Sequence, residues 1–296
     1  MTKTVWLFPG QGSQSSEMAA DLAETTIGKS KFVIAEEILG WSVPQRCAGP
    51  EEELNRTRYT QPCLFVVESI LVDLLKEAGS CPDVVAGHSL GEYVALYAAG
   101  VFDFETGLKL VKTRAELMDR CEGGQMAAVM KFDREKLAAA LSDREDVVLA
   151  NDNSEQQVVI SGTPDGVTAI LETVKPRRSA VLKVSGAFHS PMMAEPAAQF
   201  QPLLEQAAFD DAKMPVLSNV APEPTRAAAA LKINLQAQLS GAVRWRETMA
   251  AFTALGVDSA LEVGPGKVLG GLIKRACPDI SVQPVNSAAD VPQAVA

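Results

Sequence analysis

The stretch GHSLG at residues 87–91 decides how this sequence folds around its centre. It has the Gly-x-Ser-x-Gly pattern of a nucleophile elbow, a tight strand-to-helix turn that lifts a serine hydroxyl into a cleft. The flanking sequence agrees, because residues 83–86 read as a short buried strand and residues 92–99 read as a helix. An ordinary glycine-rich loop is the alternative. We favour the elbow, in which Ser89 lies at a helix N-terminus whose free N–H groups can hold an oxyanion.

The composition limits the class of protein. With 296 residues, 47% hydrophobic and 22% charged, the chain suits one large domain, or one domain with a smaller insertion. Its formal charge of −10 argues against nucleic-acid binding. No apolar run is long enough to span a bilayer, and Pro9 interrupts the N-terminus too early for a signal peptide, so we expect a cytoplasmic protein that does not bind membranes. The five cysteines match no zinc spacing, and we expect no metal.

Short apolar runs alternate with helical stretches through most of the chain, which predicts an α/β fold with a mainly parallel sheet. The predicted strands of this sheet are residues 5–8, 84–86, 216–217 and 260–263. The predicted helices around it are residues 61–78, 104–120, 197–207, 226–231 and 245–255.

Residues 124–184 have a different rhythm, in the order β-α-β-β-α-β, which is typical of a ferredoxin-like subdomain. Strands are predicted at 125–130, 147–150, 157–160 and 180–184, with helices at 133–141 and 164–174. We therefore predict a large α/β subdomain made of residues 1–123 and 185–296, and a small subdomain inserted at 124–184. The cleft between them is a natural substrate site.

A serine nucleophile needs a base, and the chain has only two histidines. His88 belongs to the elbow, where its side chain leaves the turn in a different direction from Ser89. We therefore predict His189 as the base, although a structural histidine is the alternative. No Asp or Glu is distinguished as a third triad member, and a backbone or amide carbonyl could accept the Nδ1–H instead.

The loop FPGQGSQ at residues 8–14 follows the first predicted strand. Such a loop can supply a backbone N–H to an oxyanion hole, whose other donor would be the N–H of Leu90. Phosphate binding is the competing interpretation. The loop lacks the Lys-Ser/Thr pair of a Walker A motif, which argues against nucleotide binding.

Four segments in this order resemble the malonyl-CoA:acyl carrier protein transacylase family: FPGQGSQ at 8–14, GHSLGEY at 87–93, GAFHSP at 186–191 and EVGPG at 262–266. YTQP at 59–62 and the stretches at 151–154 and 157–162 extend the resemblance, which runs from about Val5 to Arg275. The family's fold is a hydrolase-like α/β core with a ferredoxin-like insertion, in agreement with the pattern above.

The resemblance also implies roles for individual residues. Ser89 would attack the thioester, His189 would take its proton, and the N–H groups of Gln11 and Leu90 would hold the oxyanion. Arg114 matches the family's carboxylate-binding arginine, whose two parallel hydrogen bonds a lysine cannot copy. A helix-surface arginine near Glu116 or Glu92 is the alternative for this position.

Further positions follow from the same resemblance. The main-chain carbonyl of Gln238 would orient the histidine, while Gln61 and Asn153 would line the site. Bulky Phe188, together with Leu90, would favour malonyl over methylmalonyl groups. The sequence departs from the family at residues 155–156, where Glu-Gln replaces proline and a small residue.

The implied activity is a ping-pong transfer of malonyl from malonyl-CoA to the phosphopantetheine thiol of holo acyl carrier protein, for fatty acid or polyketide synthesis. It needs no metal or organic cofactor, and we expect a monomer. An acidic carrier would need a local basic face, with candidates Arg178, Lys183, Lys267, Lys274 and Arg275. A serine esterase or thioesterase of related core is the first rival, and a non-catalytic carrier-binding scaffold is the second.

Overall fold

The structure, a computed structural model, describes residues 2–292. Within them, five parallel strands form one sheet in the order β7-β2-β1-β8-β9. The strands are β1 (Thr4–Phe8), β2 (Val84–Gly87), β7 (Val216–Leu217), β8 (Ser259–Val263) and β9 (Ser281–Val285). The predicted parallel sheet is confirmed, with β9 as an edge strand that the sequence pattern did not indicate.

Helices cover both faces of this sheet. Alternate residues of β1 point to opposite sides, and Trp6 and Phe8 pack in one apolar cluster while Val5 and Leu7 pack in another. A parallel sheet buried on both faces needs such continuous apolar strands. Its helices are α1 (Thr26–Leu39), α2 (Val43–Cys47), α3 (Glu51–Leu54), α4 (Thr57–Glu77), α5 (Gly91–Ala98), α6 (Phe104–Asp119), α9 (Ala194–Gln206), α10 (Ala228–Gln238), α11 (Trp245–Ala254) and α12 (Val268–Ala276).

A second, antiparallel sheet has the strand order β4-β5-β3-β6. Its elements are β3 (Gln125–Met130), α7 (Arg134–Ser142), β4 (Val147–Ser154), β5 (Gln157–Gly162), α8 (Pro164–Val174) and β6 (Arg178–Val181). Ala127 and Val129 of β3 pack under α7 and α8 on one face. This is the predicted ferredoxin-like arrangement, although β6 ends at Val181 rather than at residue 184.

The face of the small sheet that α7 and α8 leave uncovered packs against the large subdomain. Met126 packs with Phe188 and Leu239 of the large part in a mixed cluster. The N–H of Val243 donates to the carbonyl of Ala150, and the N–H of Asp152 donates back to the carbonyl of Val243. These contacts place β4 beside the chain that follows α10. Between residues 2 and 292, no helix has the length and apolar character needed to cross a membrane.

Candidate active site

Ser89 lies on a sharp turn between β2 and α5. Its φ is +52°, in the left-handed region that is strained for a serine. A Cβ on Gly87 would collide with the backbone of Gly91, and a Cβ on Gly91 would collide with the carbonyl of Phe8. The two glycines therefore permit a close approach of strand, turn and helix, which presents the Ser89 hydroxyl at the helix N-terminus.

The Ser89 hydroxyl meets a histidine from the other side of the cleft. Ser89 Oγ lies 2.8 Å from His189 Nε2. The opposite ring nitrogen, Nδ1, lies 3.0 Å from the carbonyl oxygen of Gln238 and 3.1 Å from that of Gly241. Because carbonyls only accept hydrogen bonds, Nδ1 carries the proton and Nε2 is free to accept the serine proton. Two backbone carbonyls thus hold the ring where many serine enzymes use an acid.

The Ser89 hydroxyl contacts a buried arginine as well as His189. Arg114 is fully buried, and its Nη2 donates to Ser89 Oγ at 3.0 Å. The same nitrogen donates to Gln238 Oε1 at 3.1 Å, while Nη1 donates to Gln61 Oε1 at 2.7 Å. All of these acceptors are neutral. The guanidinium charge therefore lies beside the Ser89 hydroxyl without a hydrogen-bonded carboxylate among residues 2–292.

The side chain of Gln238 connects Arg114 to a buried carboxylate, that of Glu92. Glu92 Oε2 accepts from Gln238 Nε2 at 2.7 Å and from the backbone N–H of Asn219 at 3.1 Å. Gln238 Nε2 also donates to the carbonyl of Ser89 at 2.8 Å, and Asn219 Oδ1 accepts from the N–H of Ser89 at 2.7 Å. Glu92 and Asn219 thus support the elbow backbone from behind.

The loop after β1 packs against the elbow. A Cβ on Gly10 would collide with the carbonyl of His88, so this loop needs its glycine to reach the elbow so closely. The N–H groups of Gln11 and Leu90 form no hydrogen bond with residues 2–292. Free donors on facing loops are what an oxyanion hole requires.

The remaining predicted residues divide into two groups. Gln61 lies in the cluster beside Arg114, and its Nε2 is 3.5 Å from Gln11 Oε1. Phe188 is buried with Met118 and Met126 on the small-sheet side of the site. Asn153, by contrast, bonds through Oδ1 to His88 Nε2 at 2.8 Å, so it is not joined to the Ser89 hydroxyl.

A groove of about 960 Å³ runs from the β4–β5 turn to α11 and α12. Ser154, the last residue of β4, lines the groove directly after Asn153. Arg246 on its wall forms ion pairs with Asp152 and Glu155. Two further cations line the groove without an ion pair to the described residues, Lys131 and Arg275.

Sequence reasoning missed three parts of this site: Glu92, Asn219 and the side chain of Gln238. Glu92 had a visible signal, as an acid in the otherwise apolar helix that follows the elbow. Asn219 follows β7, and ligands commonly bind at the carboxyl ends of parallel strands. Within residues 2–292, no group of three or more His, Cys, Asp or Glu side chains could hold a metal ion.

Known proteins resemble this chain along nearly its whole length. Residues 5–294 match the acyl transferase domain family. The malonyl CoA-acyl carrier protein transacylase of Synechocystis is 57% identical over 98% of this chain and 99% of its own length, and its crystal structure superposes with a TM-score of 0.97.

Two further relatives carry informative names. PksC of Bacillus subtilis, a polyketide biosynthesis malonyl CoA-acyl carrier protein transacylase, is 40% identical over 94% of this chain and 99% of its own length. A malonyl-transacylase solved in complex with its type II polyketide acyl carrier protein is 37% identical, with a TM-score of 0.93 and 98% of both chains covered. The chain therefore belongs to the acyl transferase domain family, as an acyltransferase of the malonyl-CoA:acyl carrier protein transacylase type.

Proposed function

We propose that this enzyme transfers the malonyl group of malonyl-CoA to the phosphopantetheine thiol of holo acyl carrier protein through a malonyl-Ser89 intermediate. One observation carries the proposal: the fully buried Arg114 guanidinium touches the nucleophile, and its hydrogen-bonding partners are all neutral. The Glu92 carboxylate is separated from Arg114 by the amide of Gln238, so the buried guanidinium has no directly bonded carboxylate among residues 2–292. Such a charge is costly to bury, and we infer that the substrate brings a carboxylate to it.

In the first half-reaction, Ser89 Oγ attacks the thioester carbonyl while His189 Nε2 takes the hydroxyl proton. The N–H groups of Gln11 and Leu90 bind the resulting oxyanion. The intermediate collapses to the malonyl ester as the carbon–sulfur bond breaks, and His189 returns its proton to the leaving CoA thiol. In the second half-reaction, the carrier thiol gives its proton to His189 and attacks the ester, and Ser89 recovers its proton.

The contacts of Arg114 explain how the site changes on loading. In the free enzyme, one Nη2 hydrogen points to the Ser89 hydroxyl. After acylation that oxygen is an ester oxygen and a weaker acceptor, and the malonyl carboxylate lies within reach of the same guanidinium. A charge-assisted bond then replaces a neutral one, which stabilises a malonyl-enzyme over an acetyl-enzyme.

We also propose that the groove beyond Ser154 receives the phosphates of CoA. Met126 and Met130 lie on the same face of β3, four residues or about 13 Å apart. Met126 packs beside Phe188 at the serine, whereas Met130 lines the groove with Lys131 and Arg275. If the pantetheine arm of CoA lies along this face, the pyrophosphate at its far end would reach Lys131 and Arg275.

Removing both groove cations should weaken CoA binding without harming the chemistry. For Lys131→Ala with Arg275→Ala, we expect the KM for malonyl-CoA to rise roughly 10-fold, because charged hydrogen bonds to phosphate are lost. The KM for a malonyl thioester of N-acetylcysteamine, which lacks the nucleotide, should not change. Lys109→Ala, at an exposed position of α6, is the control. Equal effects on both thioesters would place the phosphates elsewhere.

The carrier protein is the second substrate in this proposal. Residues 175–183 (KPRRSAVLK) contain four basic residues and no acidic one, in a chain with a net charge of −10. They lead along the exposed strand β6 towards His189, and so offer positive potential beside the cleft. The monomeric state, the cytoplasmic location, the lack of a cofactor and the choice of fatty acid or polyketide synthesis stay predictions.

Intact-mass spectrometry tests the proposed function directly. Mixing the enzyme with malonyl-CoA should add one malonyl group, and holo carrier protein should then remove it and gain the same mass. If free malonate is released without carrier protein as fast as malonyl is transferred with it, the enzyme is a thioesterase. The absence of any adduct under conditions that trap acyl-serine would refute the mechanism.

The pH profile of acylation tests His189 as the base. Burial, followed by the positive charge of Arg114, lowers the pKa of His189 to about 3. A histidine accepts a proton only when neutral, so activity should fall on acidification at this lowered pKa and not near the ordinary value of about 6.5. We expect kcat/KM for malonyl-CoA to stay nearly constant from about pH 7 to about pH 5. A halving of kcat/KM near pH 6.5 would mean that burial and Arg114 do not lower the pKa of His189, and loss of the whole acid limb in His189→Gln would identify the titrating group as His189.

A further inference from the structure

Gln238 contacts both residues of the Ser89–His189 pair and also Arg114. It is the last residue of α10 and is fully buried. Its backbone carbonyl accepts from His189 Nδ1. Its side chain bonds to Arg114, to the carbonyl of Ser89 and to Glu92. The backbone part of this arrangement explains the histidine, whereas the side chain has no role in the chemistry described above.

The surroundings fix the direction of the Gln238 amide. Its nitrogen faces the Ser89 carbonyl at 2.8 Å and a carboxylate oxygen of Glu92 at 2.7 Å. Both are acceptors, so a reversed amide would bring its own oxygen against two other oxygens. Oε1 must therefore point to Arg114, and Glu92 serves to hold the amide in this orientation.

The amide oxygen in turn limits the motion of Arg114. Nη2 has two hydrogens, of which one is bound to Gln238 Oε1 and the other to Ser89 Oγ. Gln61 holds Nη1. When Ser89 becomes acylated, the hydrogen on Ser89 is released while those on the two amides stay bound. The guanidinium is then held in place with a free donor turned towards the acyl group.

We propose that the Gln238 side chain is a positioning residue that sets Arg114 for the carboxylate of the acyl group, with Glu92 fixing the direction of its amide. The proposal rests on the malonyl transfer proposed above. It assigns part of the preference for malonyl over acetyl to a residue that need not touch the substrate.

Gln238→Met tests the proposal, because methionine keeps the length of the side chain and the backbone carbonyl that orients His189. We expect kcat/KM for malonyl-CoA to fall roughly 10- to 100-fold, mainly through KM, since a hydrogen bond that orients a charged group is lost. With acetyl-CoA, the loss should be less than about 3-fold. Gln236→Met, on the same helix, is the matched control and should change neither value.

A merely structural role gives a different result. It would lower kcat/KM for the two substrates by the same factor, and an unchanged ratio would overturn the proposal. Gln238→Leu is the second variant if the methionine variant does not fold, because it also removes the amide, keeps the backbone carbonyl and places no oxygen against Glu92 or the Ser89 carbonyl. Malonyl loading should again fall more than acetyl loading, and equal losses would again overturn the idea.

The wild-type enzyme separates this proposal from the proposed function. If intact mass shows no malonyl adduct on the wild type, malonyl transfer itself is wrong. If the wild type carries the adduct and Gln238→Met keeps the ratio of malonyl to acetyl loading, only the role of Gln238 is wrong.

Discussion

Ser89→Ala is expected to abolish the covalent malonyl adduct and to lower malonyl transfer by at least about 1,000-fold, as loss of a catalytic serine does in serine enzymes. The elbow presents the Ser89 hydroxyl, which contacts both His189 and Arg114. Alanine removes only this oxygen, so substrate binding at Arg114 should survive the change. The measurement is intact mass after incubation with malonyl-CoA, together with the rate of carrier loading.

The strained backbone supplies an internal control for this variant. Alanine keeps the Cβ of Ser89 in its left-handed conformation, so the free energy of unfolding should change little through the backbone. Ser89→Gly removes the Cβ and should be more stable than Ser89→Ala by about 1 kcal/mol. Both variants should be equally inactive, which separates loss of the nucleophile from any change in the fold.

One outcome would contradict the assignment of Ser89. A stoichiometric malonyl adduct that persists on Ser89→Ala would mean that another group carries the acyl chain. Cys81 is an exposed thiol and is the first residue to check by peptide mapping. Partial labelling there, in both the wild type and the variant, would be a side reaction of the thioester.

The parts of the site that the sequence predicts are those with local causes. The elbow follows from two glycines and a serine within five residues, because the collisions that exclude larger side chains are all within the turn or with β1. His189 followed from elimination between two histidines. Arg114 and Gln61 required the family resemblance, since nothing in their own neighbourhoods marks a helix residue as facing the nucleophile.

The parts that escaped prediction depend on contacts between distant segments. Glu92 meets Gln238 across 146 residues, and Asn219 meets Ser89 across 130 residues. Such pairs have no signature in a single sequence. Strand β9 escaped for another reason, since it contains Pro284, which argues against a strand yet is tolerated at a sheet edge.

Asn153 shows how a resemblance can place a residue near the site without showing its contacts. β4 carries it towards the elbow, where its side chain bonds to His88 instead of Ser89. His88 also packs against the ring of Trp245, with ring centroids 5.5 Å apart. The pair thus joins the small sheet to α11 behind the elbow, which is a bridging position between the two sheets.

Arg114→Met should remove most of the proposed preference for malonyl-CoA over acetyl-CoA. The malonyl carboxylate would lose its buried partner, and removing one member of such a pair costs about 2–5 kcal/mol, or roughly 30- to 5,000-fold in kcat/KM. Acetyl-CoA brings no carboxylate, so its kcat/KM should fall much less than that for malonyl-CoA, or rise. Steady-state rates with both thioesters give the comparison.

The matched variant is Arg114→Lys, which keeps the charge but lacks the planar pair of donors. It should fall between the wild type and Arg114→Met with malonyl-CoA. Equal losses with malonyl-CoA and acetyl-CoA in Arg114→Met would reject the carboxylate clamp. Thermal unfolding of each variant is the control, because Arg114 also bonds to Gln61 and Gln238 in the core.

Arg114→Met should also change the pKa of His189, which gives a second prediction for this variant. The positive charge of Arg114 is one cause of the lowered pKa of His189, since it disfavours a second positive charge beside Ser89. Removing that charge should raise the pKa of His189, so the acid limb of kcat/KM for acetyl-CoA should move to higher pH in Arg114→Met. An acid limb at the same pH as in the wild type would mean that the charge of Arg114 does not lower the pKa of His189.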